Sequence, residues 1–376
     1  MSRIKFLFSL FICLLTFPAA AQTVALSDQA SVSVLTCGVG NEVYSLFGHT
    51  GIRIKDPEKN IDIVYNYGAF DFEAPNFTLK FVKGDLQYFV TAGTFEDFLI
   101  QYQMENRTVS EQVLNIPSDL KQNLFDNLNK VMFSDERFYT YKFIDRNCTN
   151  MAVDIINKTL GEKIIIKVMN TEPTYRETLY PYFDGHFYEQ LGTSIIFGTK
   201  VDQQATFLFL PVELEQSLEK VKYKDEKLAE NKVSLVETNK KELPGSWWNN
   251  FYTYLLFLAL IVIVNKDIIT ISYLVIVSLI GVFFSIAGLY SLHEELAYNY
   301  NIMLFNPLLL LLVYFYYTKN AKWLYRSSLI CIVVIGAYLI VIMNKIHLFI
   351  VMPIVITNLI ILWRFSQKAQ SKKKTV

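Results

Sequence analysis

Apolar positions follow two regimes along this chain: short alternating runs in the first two-thirds, then long unbroken stretches beyond about residue 250. Ser31-Val32-Ser33-Val34-Leu35-Thr36 alternates and is β-branched, which predicts a strand ending near Cys37-Gly38. His49 to Lys55 alternates again, with His49, Gly51, Arg53 and Lys55 on one face and Thr50, Ile52 and Ile54 on the other. Asp56-Pro57-Glu58-Lys59-Asn60 predicts a turn and Ile61 to Tyr67 the returning strand. Antiparallel pairing of this hairpin brings Asn66 toward His49, where it could orient the imidazole; Asp62, nearer the turn, is the weaker candidate.

Gly84 to Ala92 and Thr108 to Ile116 read as strands flanking a helix from about Thr94 to Glu105. Pro117 to Met132 carries Leu120, Leu124, Leu128 and Met132 at helical spacing. After Asp145-Arg146-Asn147-Cys148-Thr149-Asn150, the residues Ala152, Ile155, Ile156 and Leu160 share one side of a helical period, and Gly161 is set to end it. Short helices are expected over Thr174–Phe183 and Gly185–Leu191, a strand over Ala205–Leu210 and a helix over Pro211–Val221. The Lys- and Glu-rich run that follows reads as an exposed tether.

Beyond it, Trp247-Trp248 and Tyr252 to Tyr254 resemble an interfacial aromatic belt, and apolar spans at about 249–264, 268–290, 302–318, 324–343 and 346–363 predict five transmembrane helices. At the other terminus, Arg3 and Lys5, an apolar run from Phe6 to Phe17 and Pro18-Ala19-Ala20-Ala21 read as an export signal cleaved after Ala21. The expected organisation is a signal peptide at 1–21, a catalytic domain at 22–218, a charged tether at 219–246, a five-helix membrane domain at 247–364 and a basic tail at 365–376. Lys266, Lys319, Lys322, Arg326, Arg364, Lys368 and Lys372 to Lys374 fall on one side of the spans, whereas Ser291 to Asn301 has no Lys or Arg. The positive-inside rule makes the basic side cytoplasmic and puts the large N-terminal domain outside.

Composition sharpens this outline in two respects. Hydrophobic residues make up 52% of the 376, with mean hydropathy +0.27, while 35 basic residues balance 35 acidic ones; the balance offers no general field for nucleic acid. Of four cysteines, Cys13 lies in the signal and Cys331 in a span, which leaves Cys37 and Cys148 outside. An oxidising compartment permits those two to pair.

Cys148 at a helix start has the electrostatics of a nucleophile, because unpaired N–H groups and the helix dipole favour a thiolate. Its base would be one of four histidines; the hairpin favours His49, with His186 as the rival. Asn147 and Thr149 are candidates to support the oxyanion. His293, Glu294 and Glu295, in the polar outer loop, and Arg53 are candidates for substrate binding, and His347 reads as an interfacial residue. No clustered His/Cys set suggests a metal, and no cofactor is called for. A buried helix-start thiol or a Cys37–Cys148 disulfide stays open as the alternative.

A histidine on a β-hairpin followed about a hundred residues later by cysteine at a helix start resembles the circularly permuted papain-like fold, over about residues 31–160. That likeness implies an α+β thiol-enzyme domain, here followed by an all-α bundle; its lecithin–retinol acyltransferase branch moves acyl chains from phospholipids through a cysteine thioester. Leu35-Thr36-Cys37-Gly38-Val39-Gly40-Asn41-Glu42, Phe47-Gly48-His49-Thr50, Tyr65-Asn66-Tyr67-Gly68 and Asp145-Arg146-Asn147-Cys148-Thr149 resemble more closely the Lnb-type periplasmic domain of bacteria. The loop with His293, Asn299, Asn301 and Asn306-Pro307 is similar to that family's membrane part. The resemblance implies a lipoprotein N-acyltransferase of the bacterial inner membrane, multi-pass, with its large domain in the periplasm. Its partners would be a phospholipid acyl donor, a lipoprotein acceptor and the membrane, with no nucleic acid. It also implies a role for Cys37, structural or as an alternative thiol. A periplasmic cell-wall amidase or peptidase, a membrane phospholipase, and a non-enzymatic membrane-anchored assembly protein remain the competing readings.

Overall fold

The computed structural model describes residues 24–238 and 246–374. The expected signal peptide, with Cys13, lies outside the described residues, as do part of the expected tether and the last two residues of the tail.

The N-terminal domain is built on an antiparallel sheet. Its strands are β1 (Ser31–Cys37), β2 (His49–Asp56), β3 (Ile61–Phe70), β4 (Gln87–Thr94), β5 (Val109–Val113), β6 (Phe138–Thr140) and β9 (Val233–Val236), in the order β6-β4-β3-β2-β1-β5-β9. Lys222–Tyr223 (β7) and Glu226–Lys227 (β8) form a separate ribbon. The expected hairpin is β2–β3, with Gly51 opposite Asn66. Because side chains alternate across a strand, the sheet has two covered faces. Val32, Val34, Ile52, Ile54, Tyr65 and Tyr67 pack under the helices Ser118–Met132 and Cys148–Leu160. Leu35, Cys37, Val64 and Val109 face the opposite way, against Phe98 and Tyr102 of the helix Phe95–Met104.

Several expectations are revised. Residues 205–210 make no strand; they run as an irregular segment whose carbonyls at Leu208 and Phe209 accept from the Asn150 and Asn147 amides at 2.8 Å each. The described part of the charged run is no free tether: β9 pairs with β5, and Val221, Leu228, Ala229 and Val236 are buried. A short helix, Phe77–Lys83, precedes Gly84.

In the C-terminal part, Asp267–Tyr290, Ala321–Ile342 and the helix beginning at Leu348 are long and apolar enough to cross a membrane. Two further apolar helices are shorter, Phe251–Val264 and Leu309–Tyr317. The expected span at 302–318 is interrupted at Asn306-Pro307, where Pro307 supplies no N–H for an intrahelical bond and the Ser278 hydroxyl lies within hydrogen-bond distance of the carbonyls of Asn306 and Pro307, at 3.1 and 3.0 Å. One end of the bundle is tied by Lys368 and Tyr316 to Asp267, and by Arg364 to the Val262 carbonyl.

The N-terminal domain sits on the other end of the bundle. Leu292 N donates to Lys83 O at 2.7 Å, and Asn299 Nδ2 donates to the carbonyls of Ile195 and Ile196 at 2.9 Å each. Tyr300 donates to Asp202 at 2.7 Å, while Arg176 and Lys345 hold the same carboxylate at 2.7 and 2.9 Å. His347 is fully buried beneath Tyr300, rather than simply interfacial.

Candidate active site

The site forms where β2 begins and the helix Cys148–Leu160 starts. Gly48, at φ +81°, turns the chain into β2 against the Cys37 carbonyl, a conformation and a closeness that suit glycine. His49 then follows, opposite Cys37 in the ladder. The helix is fixed by Asn147, whose Oδ1 accepts from the N–H groups of Thr149 and Asn150 at 2.9 and 3.1 Å, while Asn150 Oδ1 accepts from Asn147 N at 3.0 Å. This reciprocal cap fixes the first turn. Gly161 closes the other end at φ +83°. Thr50 and Thr149, both fully buried, join strand to helix through their hydroxyls at 3.0 Å.

Cys148 is half-buried and hydrogen-bonded to His49. Burial pushes its thiol up, but the His49 charge and hydrogen bond, the Thr50 N–H and the Thr149 hydroxyl outweigh it and hold the thiol below its ordinary 9.0. Burial likewise disfavours the imidazolium. The Cys148 charge and hydrogen bond and the Asn66 contact overcome that, and His49 titrates above its ordinary 6.5. Each shift favours the charged form, which moves the pair toward thiolate and imidazolium. Asn66 Oδ1 lies 3.1 Å from Nε2 of His49, which leaves Nδ1 for the sulfur.

Cys37 has the opposite electrostatics. It is a free, buried thiol hydrogen-bonded to Tyr102, and burial pushes it up to about 12. Cys148 is also free, so no disulfide joins the two. The rival base His186 pairs at 3.9 Å with Glu189, away from the thiol.

Other candidate residues are engaged elsewhere. Asn147 has no amide donor left for an oxyanion, since Nδ2 donates to the carbonyls of Phe143 and Phe209 at 2.9 and 2.8 Å. The Thr149 N–H is likewise taken by the cap. Arg53 is clamped by Asp62 and Glu111 at 2.7 and 3.0 Å and stacked on Phe95, so it is a structural cation and not a substrate ligand. Asp62, committed to Arg53, does not orient His49.

The outer loop meets the segment that leads into Cys148. Glu294 bridges Lys142 and Lys200 at 2.6 and 2.9 Å, and those two hydrogen bonds hold its carboxyl down at about 2. Lys200 also pairs with Asp145. Glu295 is buried and accepts from Ile144 N at 3.2 Å. His293 Nε2 bonds the Phe81 carbonyl at 2.9 Å.

A cavity of about 270 Å³ opens beside His49, walled by Tyr44, Asn66, Gly68, Ala69, Phe70, Thr91, Phe98, Gln101, Tyr102 and Arg107 among others. From Phe70 an aromatic series continues outward through Phe72, Phe77 and Phe81 to His293, with ring centroids 4.7, 5.3, 6.2 and 6.2 Å apart in turn. Phe72, Leu79 and Phe81 are exposed. Among the described residues, no group of three His, Cys, Asp or Glu side chains could hold a metal ion. Sequence reasoning missed Arg107 and Tyr102. Tyr102 lies in the last turn of the helix Phe95–Met104 and Arg107 between that helix and β5, and no periodicity marks either.

Fold and site together define a thiol–imidazole domain docked on a bundle with three helices of membrane-crossing length. Residues 16–179 match the family model of the Lnb N-terminal periplasmic domain, which supports an Lnb-type character for that part of the chain. The match covers His49, Asn66 and Cys148 and stops before the apolar C-terminal helices. No curated protein matches the chain, and no solved structure does.

Proposed function

We propose that this protein is a lipoprotein N-acyltransferase of the bacterial inner membrane. It would move an acyl chain from a phospholipid to the α-amino group of an N-terminal diacylglyceryl-cysteine, through a thioester at Cys148. The observation that carries this reading is the Cys148–His49–Asn66 constellation on a domain hydrogen-bonded to the outer loop of an apolar bundle. The aromatic series from Phe70 to His293 supports an acyl route between that constellation and the membrane surface. A strand-borne histidine preceding the cysteine helix supports a permuted papain-like architecture. The basic residues at the far end of the bundle support five crossings with the domain on the periplasmic side.

The thiolate of Cys148 attacks the ester carbonyl and forms a C–S bond. Negative charge builds on the carbonyl oxygen, where the N–H of Cys148 itself is the helix-start donor that the Asn147 cap leaves unused. The ester C–O bond breaks, and the His49 imidazolium protonates the departing alkoxide to release lysophospholipid. The acceptor amine then attacks the thioester, forming a C–N bond as C–S breaks. His49 takes the amine proton, and the thiolate–imidazolium pair is restored.

Mass spectrometry of lipoprotein N-termini tests this directly. Cells lacking the protein should accumulate a free α-amine that wild type removes and Cys148→Ser does not. Unchanged N-acylation in its absence refutes the reading.

A further inference from the structure

Among the described residues, Arg107 is the one ionisable cation besides His49 that lines the candidate site's cavity. It is 5% exposed, and three contacts fix it. Nε donates to Gly38 O at 2.9 Å, Nη1 to Glu105 at 2.7 Å, and the guanidinium lies over the Tyr102 ring at 4.6 Å. The remaining amino group, Nη2, is buried and has no acceptor among the described residues. A charged donor buried without an acceptor is unfavourable unless an occupant of the site supplies one.

Strand order tells what such an occupant looks like. Across this end of the sheet, Phe70 stands on β3, His49 on the adjacent β2, and Arg107 just ahead of β5, two strands further on. At about 4.8 Å per strand, the Arg107 backbone lies roughly 10 Å from that of His49, within reach of a long side chain. An acyl ester engaged at His49 with its chain directed toward Phe70 therefore sends its alcohol portion toward Arg107. In a glycerophospholipid that portion carries a phosphodiester only a few bonds from the ester carbonyl. Phosphate oxygens suit the planar, multi-donor guanidinium, and a monoanion suits a cation already shared with Glu105.

We infer that Arg107 binds the phosphodiester of the acyl donor and makes the site selective for phospholipid over phosphate-free esters. The inference rests on the acyl-enzyme reading above. Nη2 supplies the hydrogen bond that orients the glycerol end while Cys148 attacks.

The test is single-turnover acylation of the full chain in neutral detergent, comparing phosphatidylethanolamine with p-nitrophenyl palmitate as donor. Arg107→Gln should slow acylation of Cys148 by phosphatidylethanolamine about 10- to 100-fold, the worth of a charge-assisted hydrogen bond. Its reaction with the phosphate-free ester should slow far less than that with phosphatidylethanolamine, and a thermal melt matching wild type shows that the variant is folded. Arg107→Lys, which keeps the cation without the fork, should fall between. Equal slowing with both donors, or no slowing with either, overturns the assignment. A wild-type protein that takes acyl groups from neither donor at Cys148 overturns the acyl-enzyme reading, and this inference with it.

Discussion

Asn66 Oδ1 and His49 Nε2 lie 3.1 Å apart, on neighbouring strands whose pairing aligns Asn66 with Gly51. The amide holds the ring so that its other nitrogen serves the thiol, and it favours the protonated imidazole. Asn66→Ala should slow acyl-enzyme formation about 10- to 100-fold, as loss of an orienting partner does elsewhere. Losing that support lowers the His49 pKa, so the alkaline limb of the acylation profile should move to lower pH. Asn66→Asp adds a negative charge and should move that limb upward. Profiles of both variants that coincide with wild type would show that the amide does not orient the base.

Thiol alkylation separates the two cysteines of the domain. Cys148 titrates below 9.0 because His49 stabilises its thiolate, whereas burial holds Cys37 near 12. Iodoacetamide at neutral pH should therefore modify Cys148 without added reductant and spare Cys37. In His49→Ala the stabilising charge and hydrogen bond are gone, and only the Thr50 N–H and the Thr149 hydroxyl still oppose burial. The apparent pKa of Cys148 then rises, and alkylation at neutral pH should slow about tenfold or more. Peptide mass spectrometry reads both results. A Cys148 that reacts only after reduction contradicts the free thiol.

Much of this site is legible along the chain because its parts are local. Period-two alternation marks the β2–β3 hairpin, and with it the meeting of His49 and Asn66. An Asn before an apolar helical period and a Gly after it bracket the Cys148 helix. What stays hidden depends on partners distant in sequence. Asn147 looks available for catalysis until Phe209 O, 62 residues on, is seen to take its amide. Val233-Ser234-Leu235-Val236 looks like part of a charged tether until β5 pairs with it. The acidic outer loop reads as a substrate surface, but Lys142, Lys200 and the Ile144 N–H occupy Glu294 and one oxygen of Glu295.

The cap on that helix gives a stability prediction. Asn147→Ala removes the acceptor for Thr149 N and Asn150 N and strips the Phe143 and Phe209 carbonyls of their donor. The expected loss is about 2 kcal/mol or more, beyond a surface cap because the carbonyls are left without partners. Asn147→Asp keeps the acceptor and loses only the donors, so it should cost less. Denaturation of the detergent-solubilised protein checks the order. Equal stability of Asn147→Ala and wild type would deny the capping role.

Docking onto the bundle depends unequally on its ion pairs. Glu294 is 55% exposed, so Glu294→Ala should change stability by only about 0–1 kcal/mol despite its two lysine contacts. Asp202 is nearly buried and joins Arg176 of the domain to Tyr300 and Lys345 of the membrane part. Burial alone would raise its carboxyl, yet Arg176 and the hydrogen bonds hold it below 3.8. Its contribution is thus present above the ordinary carboxylate range and is lost as pH falls through the depressed folded value. Asp202→Asn makes that loss permanent and leaves Arg176 without its counter-charge, at a cost of about 3–5 kcal/mol. The variant should undock first, becoming protease-sensitive between the domain and the helices while iodoacetamide still modifies Cys148 at the wild-type rate. N-acylation in cells should then fall although the thiol is intact, because a site released from the bundle no longer meets its lipid substrates. Full N-acylation by an undocked Asp202→Asn would show that the docked arrangement is dispensable.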